Sequence, residues 1–176
     1  MNKNFLLLFF LIFLMSCGNE KKSPVYFEET DDEQVANNAT TPQSGDEIIV
    51  PFRVENGVKF VPVKVNGVGF DMIFDTGCSA TLISAAEANY LYQKGKLTVE
   101  DFLGFTPSTI ADGSVVENMV VNLREVIIDN KIRCFDVVAT VSSNINAPLL
   151  LGNEVLDRVA TITIDNQNET LNFKLK

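Results

Sequence analysis

The stretch that most constrains this chain is Phe70-Asp71-Met72-Ile73-Phe74-Asp75-Thr76-Gly77-Cys78-Ser79. An apolar run stops abruptly at an acid, a hydroxyl residue and a glycine. A β-strand of that composition packs against a core, so Asp75 stands where a buried strand ends and the backbone turns. A carboxylate there is either a turn cap or a reactive group, and the rest of the chain discriminates between the two.

The flanking pattern is β-rich. Ile48–Val54 is apolar and partly alternating, and Glu55-Asn56-Gly57 turns it. Val58–Val65 is a second strand, and Asn66-Gly67 is a hairpin signal that returns the chain through Gly69–Phe74 to Asp75. Ala80–Ile83 is a short strand. Ser84-Ala85-Ala86-Glu87 is a capping-box sequence, which opens a helix through about Gln93, and Gly95 ends it. Thr98-Val99-Glu100-Asp101 predicts a second short helix ending near Gly104. Val115–Ile128 and Ile132–Val141 are strands about an Asp129-Asn130 turn, with Ile110–Gly113 turning before the first. Pro148-Leu149-Leu150-Leu151-Gly152 predicts a fully buried strand. Asn153 then caps a short helix from Glu154 to about Val159. Ala160–Ile164 and Thr170–Leu175 form a final hairpin. Many short strands with few short helices mean an all-β or β-rich closed domain.

The first 46 residues differ. Lys3 precedes an unbroken apolar run, Phe5–Met15, too short to span a bilayer. It leads into Leu14-Met15-Ser16-Cys17, which resembles a bacterial lipoprotein signal. That resemblance implies cleavage before Cys17 and a lipid anchor on its sulfur; an ordinary secretory signal with an incidental cysteine is the alternative. Residues 18–46 are polar, with the acidic run Glu28–Glu33, and bury too little apolar surface to offset the entropy of ordering. They read as a disordered acidic tether. The expected organisation is therefore a signal at 1–17, a tether at 18–46 and a folded domain at 47–176, anchored in the cell envelope and facing the periplasm or exterior.

Composition removes rivals for the role of Asp75. The 176 residues include no histidine, which excludes Ser-His-Asp and Cys-His catalysis and imidazole zinc sites. Three cysteines cannot make a four-thiolate zinc centre, so neither a metal nor another cofactor is expected. A net charge of -9 repels nucleic acid phosphates, so no nucleic acid partner is expected.

Four features, in order along the chain, resemble the retropepsin-like aspartic proteases, the single-domain group that includes retroviral enzymes and bacterial relatives. Val65-Asn66-Gly67 resembles the hairpin before the catalytic strand. Phe74-Asp75-Thr76-Gly77 resembles the catalytic loop, Thr109-Ile110-Ala111-Asp112-Gly113 the flap segment, and Leu150-Leu151-Gly152 the hydrophobic-hydrophobic-glycine motif. Cys78 departs from the Ala or Ser usual at its position. The helical stretch from Ile83 to Gly104 is longer than in the compact viral enzymes.

The resemblance implies a closed-barrel acid-protease fold with one or two short helices plus a short C-terminal helix. It implies an aspartic endopeptidase acting on a peptide or protein substrate. Such chemistry needs two carboxylates sharing a proton and a water, and this chain holds one Asp-Thr-Gly. A homodimer pairing Asp75 of each copy follows. Thr76 would hydrogen-bond across that interface, and Gly77 would permit the tight turn. A Cys78 thiol, a weak donor, would support the aspartate less than a serine. Ala111, Asp112 and Gly113 would form the flap tip; a plain exposed hairpin turn is the alternative. Leu150 and Leu151 would be core, and Gly152 would pack under the loop. Cys78 and Cys134 could form a disulfide in an exported protein; the layout that the resemblance implies places them too far apart for one, and two buried free thiols are the alternative. A non-catalytic module binding a peptide in the same groove is the competing function. A structural lipoprotein with Asp75 as a turn cap is a third.

Overall fold

A computed structural model describes residues 47–109 and 112–176. The expected signal, lipid anchor at Cys17, tether and flap residue Ala111 lie outside the described residues. Among the described residues, eleven strands fall in the order β1 (Glu47–Pro51), β2 (Arg53–Glu55), β3 (Val58–Val65), β4 (Val68–Phe74), β5 (Thr81–Ser84), β6 (Phe102–Thr109), β7 (Val115–Ile128), β8 (Ile132–Ser142), β9 (Leu150–Leu151), β10 (Val159–Asp165) and β11 (Thr170–Leu175). Two α-helices, α1 (Ala85–Gln93) and α2 (Asn153–Leu156), and one 3-10 turn, Val99–Asp101, interrupt them. The fold is all-β.

Eight strands form one sheet in the order β2-β3-β4-β9-β5-β8-β7-β6, and an extra β3–β7 pairing closes it on itself. Val63, Lys64 and Val65 face Ile128, Ile127 and Val126 across that seam. The barrel interior is apolar: Val61, Val63, Met72, Leu123, Val126 and Leu151 are buried. Burying each such side chain stabilises the fold by about 1.5–3 kcal/mol. A second sheet, β1-β11-β10, pairs Ile48 with Phe173 and Val50 with Leu171. All four of those side chains are buried.

Helix α1 begins as its sequence predicts. Ser84 is the N-cap, its hydroxyl accepts from the Ala86 N–H, and the Glu87 carboxylate accepts from the Ser84 N–H and hydroxyl. Gly95 follows the helix with φ +67°, a backbone state that glycine adopts without penalty.

Five expectations require correction. The strand expected over Ile48–Val54 is two, broken at Phe52, with β1 in the small sheet and β2 in the barrel sheet. The helix predicted from Thr98 to Gly104 is a single 3-10 turn, and strand β6 starts at Phe102. Thr98 and Asp101 hold the turn: the Thr98 N–H and hydroxyl both donate to the Asp101 carboxylate. Gly104 lies instead at a β-bulge opposite β7, with φ +112°. The strand predicted over Pro148–Gly152 shrinks to Leu150–Leu151, where Leu151 alone is fully buried and Leu150 is half-buried. The helix expected from Glu154 to Val159 begins at Asn153 and stops at Leu156, because Val159 is the first residue of β10. Its cap position is occupied by Gly152 rather than Asn153.

Candidate active site

Strand β4 alternates: Val68, Phe70 and Met72 point into the core while Asp71 faces out and pairs with Arg53 at 3.2 Å. Asp75 follows on the parity of Asp71 and Ile73 and is half-buried. Strands β4 and β5 are consecutive in sequence but are not neighbours. Strand β9 runs between them, parallel to β4 with Phe74 opposite Leu151, and paired to β5 through Leu82 and Leu150. The Asp75 N–H donates to the Leu151 carbonyl at 3.2 Å. The sheet thereby fixes the backbone on which the Asp75 carboxylate rides.

The loop beyond β4 is held by its own carboxylate. The Gly77 N–H donates to Asp75 Oδ1 at 2.8 Å. A Cβ on Gly77 would lie 3.2 Å from that oxygen. Gly77 does not have a positive φ, so close approach to the carboxylate, rather than a left-handed backbone, is what calls for glycine here.

Helix α2 grips the loop from below. The Asn153 N–H donates to the Cys78 carbonyl at 2.9 Å and the Glu154 N–H to the Ser79 carbonyl at 3.1 Å. The Asn153 side-chain amide donates to the Thr76 carbonyl at 3.1 Å. Gly152 makes this approach possible, since a Cβ there would lie 2.1 Å from the Ala80 carbonyl oxygen. Arg158 ties α2 to the barrel: it donates to the Glu154 carboxylate at 2.7 Å and to the Phe135 and Asp136 carbonyls of β8. The sequence marked Asn153 only as a helix cap, and Arg158 did not stand out in it. The signal for Asn153 was its place directly after Leu150-Leu151-Gly152.

Asp75, Thr76, Gly77 and Cys78 therefore meet Leu150, Leu151 and Gly152 in one assembly. Thr76 and Gly77 are exposed, and Cys78 is half-buried. The Cys78 thiol donates to the Ala80 carbonyl at 3.0 Å. Cys78 and Cys134 are both free. Cys134 is buried, as expected of a core thiol, whereas Cys78 is only half so. Asp112 and Gly113 sit elsewhere, at the tip of the β6–β7 hairpin, both exposed. The hydrogen bonds of Asp112 are local. The Ser114 hydroxyl and then its N–H (2.8 Å) hold the Asp112 carboxyl below its usual range.

The architecture around Asp75 has counterparts. A family model described as "gag-polyprotein putative aspartyl protease" matches residues 61–158, from β3 through the end of the α2 segment. The chain belongs to the retropepsin-like aspartic protease family. Among solved structures it is similar to a retropepsin-like aspartic protease from Rickettsia conorii. Identity is 21%, the match covers 74% of this chain and 90% of that one, and the TM-score is 0.51. At that identity the likeness speaks for the fold. No curated protein sequence matches the chain. Within this retropepsin-like domain, the matched span contains the β4 loop, the β6–β7 hairpin and Leu150-Leu151-Gly152. Family and fold support a peptidase.

Proposed function

We propose that the chain is an exported, lipid-anchored aspartic endopeptidase. It hydrolyses peptide bonds through a water activated by Asp75 from each of two copies. The observation that carries this reading is the half-buried Asp75 carboxylate at the end of β4, on a loop braced by Gly77, β9 and α2. One Asp75 acts as base and takes a proton from the water. The other, protonated, donates to the scissile carbonyl oxygen. Two carboxylates this close share one proton because both cannot ionise.

Pairing is supported by the second sheet. Strand β10 is one of its two edges, and no strand among the described residues covers its outer side. Ala160-Thr161-Ile162-Thr163-Ile164 carries no charge and no proline, the usual protections of an edge strand. Thr76, Asn153, Thr161 and Ile162 share a cleft of about 510 Å³. A second copy adding to that edge would lie beside the Thr76 loop. Peptide substrates would bind as an added strand beneath the β6–β7 hairpin. Anchoring through Cys17 would raise local concentration and favour pairing.

The test is cleavage of a peptide library by the full-length chain, from acid to neutral pH. Cleavage should be abolished by Asp75→Asn and by pepstatin-type inhibitors, with dimer formation followed by sedimentation. A verified dimer that cuts nothing at any pH would refute the enzyme reading and favour the peptide-binding module.

A further inference from the structure

We propose that Asn153 is a positioning residue for Asp75, acting through the Thr76–Gly77 peptide. The inference rests on the reading of Asp75 as the catalytic carboxylate. The Asn153 Nδ2 donates to the Thr76 carbonyl at 3.1 Å. That carbonyl and the Gly77 N–H are the two ends of one planar peptide unit, so fixing one fixes the other. The Gly77 N–H donates to Asp75 Oδ1 at 2.8 Å. Asn153 thus sets the orientation of a carboxylate that it does not touch.

The alternative state of the loop shows what this arrangement prevents. If the Thr76–Gly77 peptide rotated as a unit, the N–H would leave Asp75 Oδ1 and the carbonyl would swing toward the carboxylate. Two oxygens that both accept would then face each other. The Asn153 amide holds the carbonyl on the α2 side and disfavours that rotation. The residue is itself rigidly held. Its backbone N–H is committed to the Cys78 carbonyl at 2.9 Å, and the neighbouring Glu154 N–H to Ser79. Arg158 fastens the same short helix to β8. The orientation of the carboxylate is therefore referred through α2 to the barrel wall.

An asparagine at a helix start ordinarily caps its own helix. Here Gly152 holds the cap position, which leaves the Asn153 amide free to serve the neighbouring loop. An aspartate at 153 would suit a helix start equally well but would offer an acceptor to the Thr76 carbonyl. A histidine would bring an Nδ1–H to about the place of the amide nitrogen.

The experiment compares wild type, Asp75→Asn, Asn153→Asp, Asn153→Ala and Asn153→His, all as full-length chains. It measures kcat and KM on a peptide that the wild type cleaves, together with thermal unfolding. Asn153→Asp and Asn153→Ala should lower kcat about tenfold or more, as small misplacements of reacting groups do. KM should stay within about twofold, and Asn153→His should recover most of kcat. A wild-type kcat in Asn153→Asp and Asn153→Ala, with Asp75→Asn inactive, overturns the inference and leaves the catalytic reading standing. So does a loss in Asn153→Ala that Asn153→His does not restore. Activity that survives Asp75→Asn overturns the catalytic reading itself.

Discussion

Replacing Gly152 by alanine tests how α2 and the Asp75 loop are joined. A Cβ built on Gly152 lies 2.1 Å from the Ala80 carbonyl oxygen and 2.8 Å from both the Ala80 carbonyl carbon and the Cys78 carbonyl oxygen. Ordinary packed heavy atoms stand about 3.5–4.0 Å apart, so the first contact is roughly 1.5 Å too short. All three atoms are backbone, so no side chain can rotate away. The helix must retreat, and the Asn153–Cys78 and Glu154–Ser79 hydrogen bonds lengthen or break. Overpacking costs about 1–3 kcal/mol, and each lost hydrogen bond about 1 kcal/mol more. A total of about 3–5 kcal/mol is expected, a large fraction of a typical domain's stability. In a folded unit of this size that corresponds to a fall in Tm of about 10–20 °C. Thermal unfolding followed by circular dichroism reads it directly. The informative comparison is Gly77→Ala, whose Cβ meets only the Asp75 carboxylate, at 3.2 Å. That variant should keep its Tm within a few degrees and lose peptide cleavage. A Gly152→Ala protein that melts with the wild type would refute the close-approach argument.

Three further outcomes follow from the geometry. Thr161→Lys puts a charge on the open edge of β10 twice per dimer; the dimer Kd should rise about a hundredfold by sedimentation, with activity falling in parallel and the monomer Tm unmoved. Because the Cys78 thiol donates to the Ala80 carbonyl, a serine hydroxyl should keep that partner. Cys78→Ser should then melt within a few degrees of wild type and keep kcat within about twofold. Burial pushes the Cys134 thiol above its ordinary value, which leaves little thiolate at neutral pH. Peptide-mapped alkylation of the native chain should modify Cys78 at least about tenfold faster than Cys134, and the mass should be the same with and without reductant.

What was legible in the sequence divides along a physical line. Val58–Val65 and Val115–Ile128 announced themselves because runs of β-branched residues were bounded by turn residues whose conformations are local. Asn56, Asn66 and Asp129 do adopt positive φ at those turns. The capping box of α1 is equally local. Strand β6 was hidden because Gly104 and Pro107 argue against a strand. Both are tolerated where they fall, Gly104 at a bulge and Pro107 on the outermost strand of the eight, where a missing N–H costs no ladder bond. The true length of β9 was hidden for another reason. Its residues are apolar because they thread between β4 and β5, and how many of them pair depends on those neighbours. Asn153 shows the limit most clearly. Its type suits a helix cap, but what its amide reaches is decided by the β4 loop, 77 residues away.

The small sheet has a consequence for how the chain must fold. Strand β11 lies between β1 and β10, so β1, the earliest strand in chain order, pairs only with the latest. Ile48 and Val50 cannot be buried until Leu171 and Phe173 have been synthesised. The barrel strands and α2 can assemble before then, but β1 must wait, exposed, for the whole of it. Long-range closure of this kind is slow, because the entropy of a loop of more than a hundred residues is lost before any contact offsets it. The final step of folding is thus the joining of the two ends of the domain. A ribosome stall or a stop codon just before Thr170 would leave both β1 and β10 without the strand that each of them pairs with in this sheet.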